Sequence, residues 1–115
     1  MTFALHNGDF IDAEGPVIPF SNRAFRYGDG FFESIRVING SARFVKHHYE
    51  RILDSAKAFQ IDVPASLTLE RFQDQLDELA GRNNISSGGR IRITFCRKSS
   101  GLFAPTTNDM EYFGE

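Results

Sequence analysis

The stretch from Asn22 to Leu53 constrains the fold more than any other part of the chain, because it joins a glycine-bracketed turn, a strand, a tight hairpin and a helix in that order. Phe31 to Ile38 is rich in aromatic and β-branched residues and predicts a strand. Asn39-Gly40 readily supplies the two positive φ angles of a type I′ turn, so Ser41 to Val45 is predicted to return as a second strand. No residue of this stretch can do chemistry alone, which favours a binding role.

A two-residue loop also predicts the register of the hairpin and therefore its two faces. The predicted pairs are Val37 with Ala42, Arg36 with Arg43 and Ile35 with Phe44. One face is predicted to be core and holds Phe31, Ile35, Val37, Ala42 and Phe44, with Glu33 as an interruption. The other face holds Phe32, Ser34, Arg36 and Arg43. Two opposed arginines repel one another unless an anion lies near them, so this face is either a binding face or a solvent-screened surface.

The remaining elements follow from periodicity and turn residues. Strands are predicted at Thr2 to Leu5, Asp9 to Ile11, Arg90 to Arg97 and Met110 to Phe113, with a type I′ turn at Asn7-Gly8. Helices are predicted at Lys46 to Phe59 and at Thr68 to Gly81, with Thr68 as N-cap and Gly81 as the stop. Glu14 to Phe20, Arg23 to Gly30 and Ser99 to Asn108 are predicted as connectors, turns or loops. This order predicts an α+β fold with an antiparallel sheet of about six strands and two helices packed on one face.

The composition narrows the classes of partner and the compartment. The net charge of −2 gives no general reason to expect nucleic acid or an anionic membrane as partner. Arginine outnumbers lysine ten to three, and a surplus of arginine on sheet faces hints at small anions. Cys96 is the only cysteine, so no internal disulfide can form and the cytoplasm is the expected compartment. No apolar run is long enough to span a bilayer.

A search for reactive residues finds no self-contained catalytic set and no metal-ligand spacing. His47 and His48 are adjacent on a predicted helix, diverge by about 100° and are predicted to be solvated. Asp29 is predicted to stabilise its turn, and Cys96 to be a small core or lining residue. The three lysines are predicted to be solvated surface: Lys46, Lys57 and Lys98.

What remains is a capacity to bind anions. Arg51 lies at the edge of the apolar stripe of its predicted helix. If helix and sheet pack together, this arginine and three strand arginines could converge on phosphate and carboxylate groups. The strand arginines are Arg36, Arg90 and Arg92.

Two motifs bear on the family of the chain. The first is Arg23-x-x-x-Tyr27-Gly28-Asp29-Gly30-x-Phe32-Glu33-x-Ile35-Arg36-Val37-x-x-Gly40, and the second is His48-x-x-Arg51-Ile52-x-x-Ser55-Ala56. Together they resemble the N-terminal region of class IV aminotransferases, the fold-type IV group of pyridoxal-phosphate enzymes. This family includes branched-chain aminotransferases, D-amino-acid aminotransferases and aminodeoxychorismate lyase.

The resemblance implies roles for six residues. Arg51 matches the arginine that binds the 5′-phosphate of pyridoxal 5′-phosphate, and a rigid fork on a helix suits a phosphate dianion. The other five match substrate-binding positions. These are Phe32, which lines the pocket; Tyr27, which in branched-chain enzymes reaches the neighbouring subunit's site; Arg36, near the pocket; Arg90; and Arg92, which in branched-chain enzymes binds the side-chain carboxylate of glutamate.

Three departures from the family pattern bear on specificity. Phe32 stands where D-amino-acid aminotransferases carry tyrosine. The loop SSGLFAP lacks the arginine and histidine with which those enzymes bind the substrate carboxylate. Both departures favour branched-chain-like substrates over D-amino acids, but Arg90 stands where branched-chain enzymes tend to have tyrosine, which leaves that specificity open too.

The resemblance also implies a second domain. The family's cofactor-binding lysine, the glutamate that pairs with the pyridine nitrogen and the phosphate loop belong to sequence that this chain does not contain. Residues 1–115 are therefore expected to form an N-terminal domain that binds substrate and cofactor phosphate, with no catalytic residue, no covalently bound cofactor and no activity alone. The complete enzyme is expected to be a homodimer that transfers an amino group from an amino acid to a 2-oxo acid.

Three alternatives stay open at this point. The parent protein could be an aminodeoxychorismate lyase of the same family. The chain could be a stand-alone binding or dimerisation module that kept the fold and lost the chemistry. It could also be an unrelated α+β domain that binds small anions through its strand arginines.

Overall fold

A computed structural model describes residues 1–16, 18–98 and 107–115. Within them the strands are β1 Phe3–His6, β2 Asp9–Asp12, β3 Gly30–Ile38, β4 Ser41–Ala42, β5 Gly88–Arg97 and β6 Met110–Gly114. The helices are α1 Arg23–Tyr27, α2 Val45–Phe59 and α3 Leu69–Arg82. The strands form one sheet in the order β2-β1-β6-β5-β3-β4, and every pairing between them is antiparallel. The predicted α+β class and antiparallel sheet are confirmed.

Alternation along the two central strands divides the sheet into two faces. The inner face, which α2 and α3 cover, carries Phe31, Glu33, Ile35 and Val37 of β3 and Ile91, Ile93, Phe95 and Arg97 of β5. The outer face carries Phe32, Ser34 and Arg36 of β3 and Arg90, Arg92, Thr94 and Cys96 of β5. Every residue of the inner face is buried except the half-buried Phe31. The two faces therefore meet different surroundings although they share the same strands.

The core lies between the inner face and the two long helices. Phe72 and Leu76 of α3 are fully buried, as are Ile93 and Phe95 beneath them. The ring centroids of Phe72 and Phe95 are 6.5 Å apart. Each such side chain contributes about 1.5–3 kcal/mol by leaving water, so this layer accounts for much of the stability.

The helix signals in the sequence are only partly confirmed at α3. The hydroxyl of Thr68 accepts a hydrogen bond from the Arg71 N–H at 3.2 Å, which confirms the predicted N-cap. The helix, however, runs past Gly81 to Arg82, and Asn83 is its C-cap. The predicted stop at Gly81 is wrong because the Asn83 N–H still bonds to carbonyls of the last turn.

The second hairpin keeps its predicted register but has a shorter returning strand. Val37 pairs with Ala42 as predicted, and β4 then ends. Phe44 has a left-handed φ of 56° and is the N-cap residue of α2. It is 70% exposed, so its prediction as core is wrong. The chain must turn from strand into helix at this point, and Val45 takes the buried position instead.

The short β4 leaves part of β3 without a strand neighbour. Because β4 pairs only with Val37 and Ile38, residues 30–35 of β3 have β5 on one side and, among the strands that the structure describes, no neighbour on the other. We call this segment the free edge of β3. Helix α2 packs against β3, so this edge is where the helix, the inner face and the outer face come together.

Two predicted loop segments differ in how far the structure describes them. Arg23 to Gly30, predicted as a loop or short turn, contains the five-residue helix α1. Of the predicted loop from Ser99 to Asn108, only residues 107 and 108 lie within the described residues. No helix in the described part of the chain has the length and apolarity needed to cross a membrane.

Candidate functional site

Arg51 belongs to a three-residue polar cluster, with Glu33 and His48, between α2 and the inner face. Its Nη2 atom is 3.5 Å from Oε2 of Glu33. The other oxygen of that carboxylate, Oε1, is 2.7 Å from Nδ1 of His48. His48 and Arg51 lie on the same side of α2 because they are three residues apart. The cluster ties the helix to β3, yet the Arg51 side chain remains 71% exposed.

The burial of this cluster corrects the prediction for His48. The side chain of His48 is only 17% exposed and contacts a buried carboxylate, so its prediction as a solvated residue is wrong. His47 is exposed, as predicted. A combined signal was present in the sequence: Glu33 interrupts an apolar face, and a histidine and an arginine follow on one helix at a spacing of three. A buried carboxylate needs such partners.

A row of arginines crosses the outer face, and we call it the arginine row: Arg43, Arg36 and Arg90. Arg36 is opposite Arg90 in register, and the Arg43 N–H donates to the Arg36 carbonyl at 2.8 Å on the other side. The predicted opposition of Arg36 and Arg43 is thus confirmed. All three are exposed, and none forms an ion pair with another described residue. Like charges in register repel, so the row favours an anion.

Phe32 and Arg92 form a second feature of the outer face. The guanidinium carbon of Arg92 lies 4.2 Å from the centroid of the Phe32 ring, a cation–π contact. Both residues line a cleft of about 210 Å³ beside α1, together with Gly30 and Thr94. The stacked guanidinium still presents its N–H edge, so the cleft offers an apolar wall and a bidentate donor side by side.

Tyr27 lies at the end of α1, where a turn is held by buried charges. Gly28 caps the helix in the left-handed region at a φ of 68°. Asp29 Oδ2 accepts from Arg23 Nε at 2.8 Å, and Oδ1 is 3.6 Å from Arg97 Nη1. The predicted turn-stabilising role of Asp29 agrees with these contacts. The guanidinium of Arg23 also lies over the Tyr27 ring at 5.1 Å, which orients this half-exposed tyrosine.

Gly30, the first residue of β3, lies where the backbone passes too close to β5 for any side chain to fit. A Cβ at this position would lie 2.4 Å from the Phe95 carbonyl oxygen, a distance that no side chain can tolerate. The close approach lets α1 pack against the outer face of β5. It therefore brings the turn that carries Tyr27 next to the cleft at Phe32.

The residues considered for reactivity behave largely as predicted. Cys96 is fully buried under α1, where burial raises the pKa of its thiol and a hydrogen bond from Asn22 offsets only part of the shift. Among residues 1–16, 18–98 and 107–115, no cluster of three or more histidine, cysteine, aspartate or glutamate side chains could hold a metal ion. The three lysines are exposed as predicted: Lys46, Lys57 and Lys98.

The structure brings some of the predicted site residues together and separates others. Phe32 and Arg92 share one cleft, and Arg36 and Arg90 are neighbours in the arginine row. Arg51 does not join them on the outer face, since its partner Glu33 belongs to the inner face. The four arginines therefore occupy two positions, one on either side of the free edge of β3, and their convergence on phosphate and carboxylate groups stays a prediction.

The fold is an α+β sheet domain with arginine side chains on both sides of one strand edge, and comparison with known proteins identifies its family. Residues 30–113 match the family model described as amino-transferase class IV. The chain belongs to the class IV aminotransferase family.

Relatives of two kinds are similar to this chain. It is 37% identical over 89 residues to a D-alanine aminotransferase from Staphylococcus haemolyticus, covering 77% of this chain and 31% of the relative. It is 38% identical over 91 residues to a putative branched-chain-amino-acid aminotransferase from Methanocaldococcus jannaschii, covering 79% of this chain and 31% of the relative. The chain thus spans about a third of the length of the curated relatives it matches.

Solved structures share the fold. A branched-chain aminotransferase from Thermoproteus uzoniensis, solved with norvaline, superposes with a TM-score of 0.85 at 22% identity, covering 99% of this chain and 39% of that one. A branched-chain amino acid aminotransferase from Thermobaculum terrenum, solved in its PLP-containing holo form, gives a TM-score of 0.78 at 16% identity over 98% of this chain and 38% of that one. These likenesses establish the architecture of the domain.

Proposed function

We propose that residues 1–115 form the N-terminal domain of a pyridoxal-phosphate-dependent aminotransferase and bind substrate and cofactor phosphate. In the complete enzyme an amino group would pass from an amino acid to a 2-oxo acid. Pyridoxal phosphate, when bound, supplies the electron sink for that transfer. The family membership supports this assignment. Because this chain matches only 31% of the length of the curated relative, the lysine that reacts with the cofactor is proposed to lie in sequence outside these 115 residues.

The observation that carries the proposal is the exposed but anchored guanidinium of Arg51. Its side chain is 71% exposed, and among the described residues Glu33 is its ion-pair partner. A guanidinium has five N–H donors in a rigid fork that matches phosphate geometry. A single 3.5 Å contact to Glu33 leaves donors for a dianion. The residues present therefore fit a cofactor that carries a phosphate.

The substrate is proposed to lie against the outer face. Phe32 would contact its apolar part, and Arg92, stacked on that ring at 4.2 Å, would bind a carboxylate through its N–H edge. Arg36 and Arg90 extend the positive surface beyond it, and Tyr27 borders it from α1. A cofactor held by Arg51 at the free edge of β3 would be only one strand away from these side chains.

Branched-chain-like substrates are proposed over D-amino acids. Phe32 supports this choice, since it lacks the hydroxyl that the D-amino-acid enzymes carry at this position. The loop SSGLFAP, the second argument from the sequence, lies outside the described residues. Sequence identity does not select between the two kinds of relative, at 37% and 38%.

The complete protein is proposed to be a cytoplasmic homodimer. Two aromatic side chains near α1 support association, because Phe20 and Phe25 are 81% and 65% exposed. Exposed apolar surface of this kind favours a covering partner. The single, buried cysteine supports a reducing compartment.

The phosphate role is tested by an Arg51→Ala change in the complete enzyme. Titration of the apoenzyme with pyridoxal 5′-phosphate should show affinity weakened by about tenfold to a hundredfold, as loss of a charge-assisted contact requires. Arg71→Ala is the matched control, since it removes an exposed arginine from α3 and should leave the affinity unchanged. Equal affinity in wild type and Arg51→Ala would remove the basis of the proposal.

Substrate class is tested on the same holoenzyme. Absorbance changes of the cofactor are followed on adding glutamate, branched-chain amino acids, D-alanine or aminodeoxychorismate, each in turn. Conversion with branched-chain amino acids and not with D-alanine is expected. Turnover of aminodeoxychorismate alone would point to the lyase, and no response to any of the amino acids would overturn the aminotransferase assignment.

A further inference from the structure

Glu33 is a buried carboxylate in a position that an apolar residue would fill more simply. It lies on the inner face of β3 between two hydrophobic residues, pairs in register with Ile93 and is 6% exposed. Taking a carboxylate out of water costs several kcal/mol, and such groups persist where both oxygens are bound. Here Oε1 meets His48 at 2.7 Å and Oε2 meets Arg51 at 3.5 Å.

The two partners of Glu33 differ in what the contact does to them. His48 is largely covered, at 17% exposure, and completes the burial of the carboxylate. Arg51 is 71% exposed, so its charge is already solvated and gains little stability from the pair. What the contact does restrict is the orientation of a long side chain with several rotatable bonds. Because an arginine side chain loses rotamer freedom when it is immobilised, a contact that limits this freedom in advance leaves less to be lost on binding.

We propose that Glu33 and His48 are positioning residues for Arg51: His48 holds the Glu33 carboxylate, and Glu33 holds the guanidinium at the free edge of β3. This inference rests on the proposed function, in which Arg51 binds the cofactor's phosphate. The pair restricts the orientation of the fork before the phosphate arrives, and preorganisation of this kind strengthens binding. Neither residue needs to touch the cofactor.

Positioning of Arg51 and simple charge repulsion predict opposite changes in cofactor affinity when the charge of Glu33 is removed. A negative charge near a phosphate dianion repels it, so removing that charge should tighten binding if Glu33 acts only through its charge. Loss of positioning should weaken binding instead. The conservative change Glu33→Gln keeps the size of the side chain and a hydrogen-bond acceptor for His48 but releases the guanidinium.

The experiment is an equilibrium titration of the complete apoenzyme with pyridoxal 5′-phosphate and, separately, with pyridoxal, which lacks the phosphate. Glu33→Gln is expected to weaken pyridoxal 5′-phosphate about tenfold, the effect of losing a preorganised charged contact. Affinity for pyridoxal should stay unchanged. His48→Ala should weaken pyridoxal 5′-phosphate in the same sense, and His48→Asn, which keeps a donor near the position of Nδ1, should restore it. Glu50→Gln is the matched control because it removes an exposed carboxylate from the same helix.

Two further variants separate the possible failures. In an Arg51→Ala background, Glu33→Gln should have no additional effect, since there is no guanidinium left to position. If Glu33→Gln fails to fold, Glu33→Leu and His48→Ala test the positioning of Arg51 instead, because apolar replacements of buried ionic groups are often tolerated. Unchanged or tighter binding in folded Glu33 and His48 variants, with Arg51→Ala still weakened, overturns the positioning role alone. Unchanged binding in Arg51→Ala overturns the proposed function as well.

Discussion

Both faces of the sheet carry charged side chains, but among the described residues the inner-face arginines have carboxylate partners and the outer-face arginines have none. The outer face does hold one histidine–carboxylate contact, between His6 Nε2 and Glu111 Oε2 at 2.9 Å. On the inner face Glu33 contacts Arg51 and His48, and Arg97 lies 3.6 Å from Asp29. On the outer face the arginine row and Arg92 have no carboxylate partner among the described residues. Charges that are removed from water must be compensated within the protein, whereas exposed charges need not be. The difference indicates that the paired inner charges help to hold the domain together, whereas the outer arginines are solvated.

The largest expected contrast concerns two phenylalanines on the two faces. Phe95 is fully buried on the inner face, and Phe32 is 54% exposed on the outer face. Phe95→Ala should lower the free energy of unfolding by about 3–5 kcal/mol through lost burial and a cavity, and Phe32→Ala by about 0.5 kcal/mol. Urea unfolding followed by circular dichroism measures both. Similar losses at the two positions would mean that the outer face is also part of the core.

Asp29 tests whether the paired charges hold the fold. Asp29→Asn removes the shared carboxylate of Arg23 and Arg97, whose side chains are 9% and 8% exposed. Breaking such a buried pair should lower the free energy of unfolding by about 3 kcal/mol. Asp54→Asn, an exposed aspartate on α2, is the control and should change it little. Equal small effects from both changes would contradict the view that inner-face charges are structural.

The arginine row tests the opposite expectation, that unpaired like charges on the outer face lower the stability of the fold. Arg36 lies between two like charges on the outer face. Replacing it with glutamine should raise the free energy of unfolding by about 0.5 kcal/mol at low ionic strength, because the repulsion is relieved. The gain should shrink as salt is added, since exposed charges are screened. A loss of stability at every salt concentration would show that Arg36 is paired after all.

The smallest effect is confined to alkaline pH and concerns Cys96, on the outer side of the sheet but covered by α1. Burial raises the pKa of its thiol from the ordinary value of 9.0. Above that value the unfolded chain releases a proton that the folded chain keeps, so stability present below it is lost as pH rises. Between about pH 8 and pH 10 the decline should be shallower in Cys96→Ala than in the wild type. Parallel pH profiles would show that the thiol is not protected.

Much of the fold could be predicted from local pattern. The positive φ angles of both Asn-Gly turns, at Asn7 and Asn39, and the register of the second hairpin follow from turn chemistry. The alternation of β5 and the N-cap at Thr68 follow in the same way. Phe44 shows the limit: nothing in its own identity says that the chain leaves the sheet there, because the packing of α2 decides where the strand ends.

The candidate site divides along the same line. The likeness of the motifs to a known family could be predicted from the residues, and so could the position of Arg51 at the edge of the apolar stripe of its helix. The placement of Arg51 on the opposite side of a strand edge from Arg92 could not, nor could the burial of His48 against Glu33. Those facts depend on which strand lies beside β3 and how closely α2 packs on it, and both are long-range relationships.

The amino-acid sequence alone determined the alternation of side chains, the turns, the helix periodicity and the family motifs, because each depends on residues close together in the chain. Only the tertiary structure decided which charges are paired and which remain exposed. Pairing depends on the distances between side chains far apart in sequence, such as the 2.7 Å between Glu33 and His48. Burial on the inner face and solvent on the outer face then give one alternating strand a packed side and an exposed, arginine-rich side.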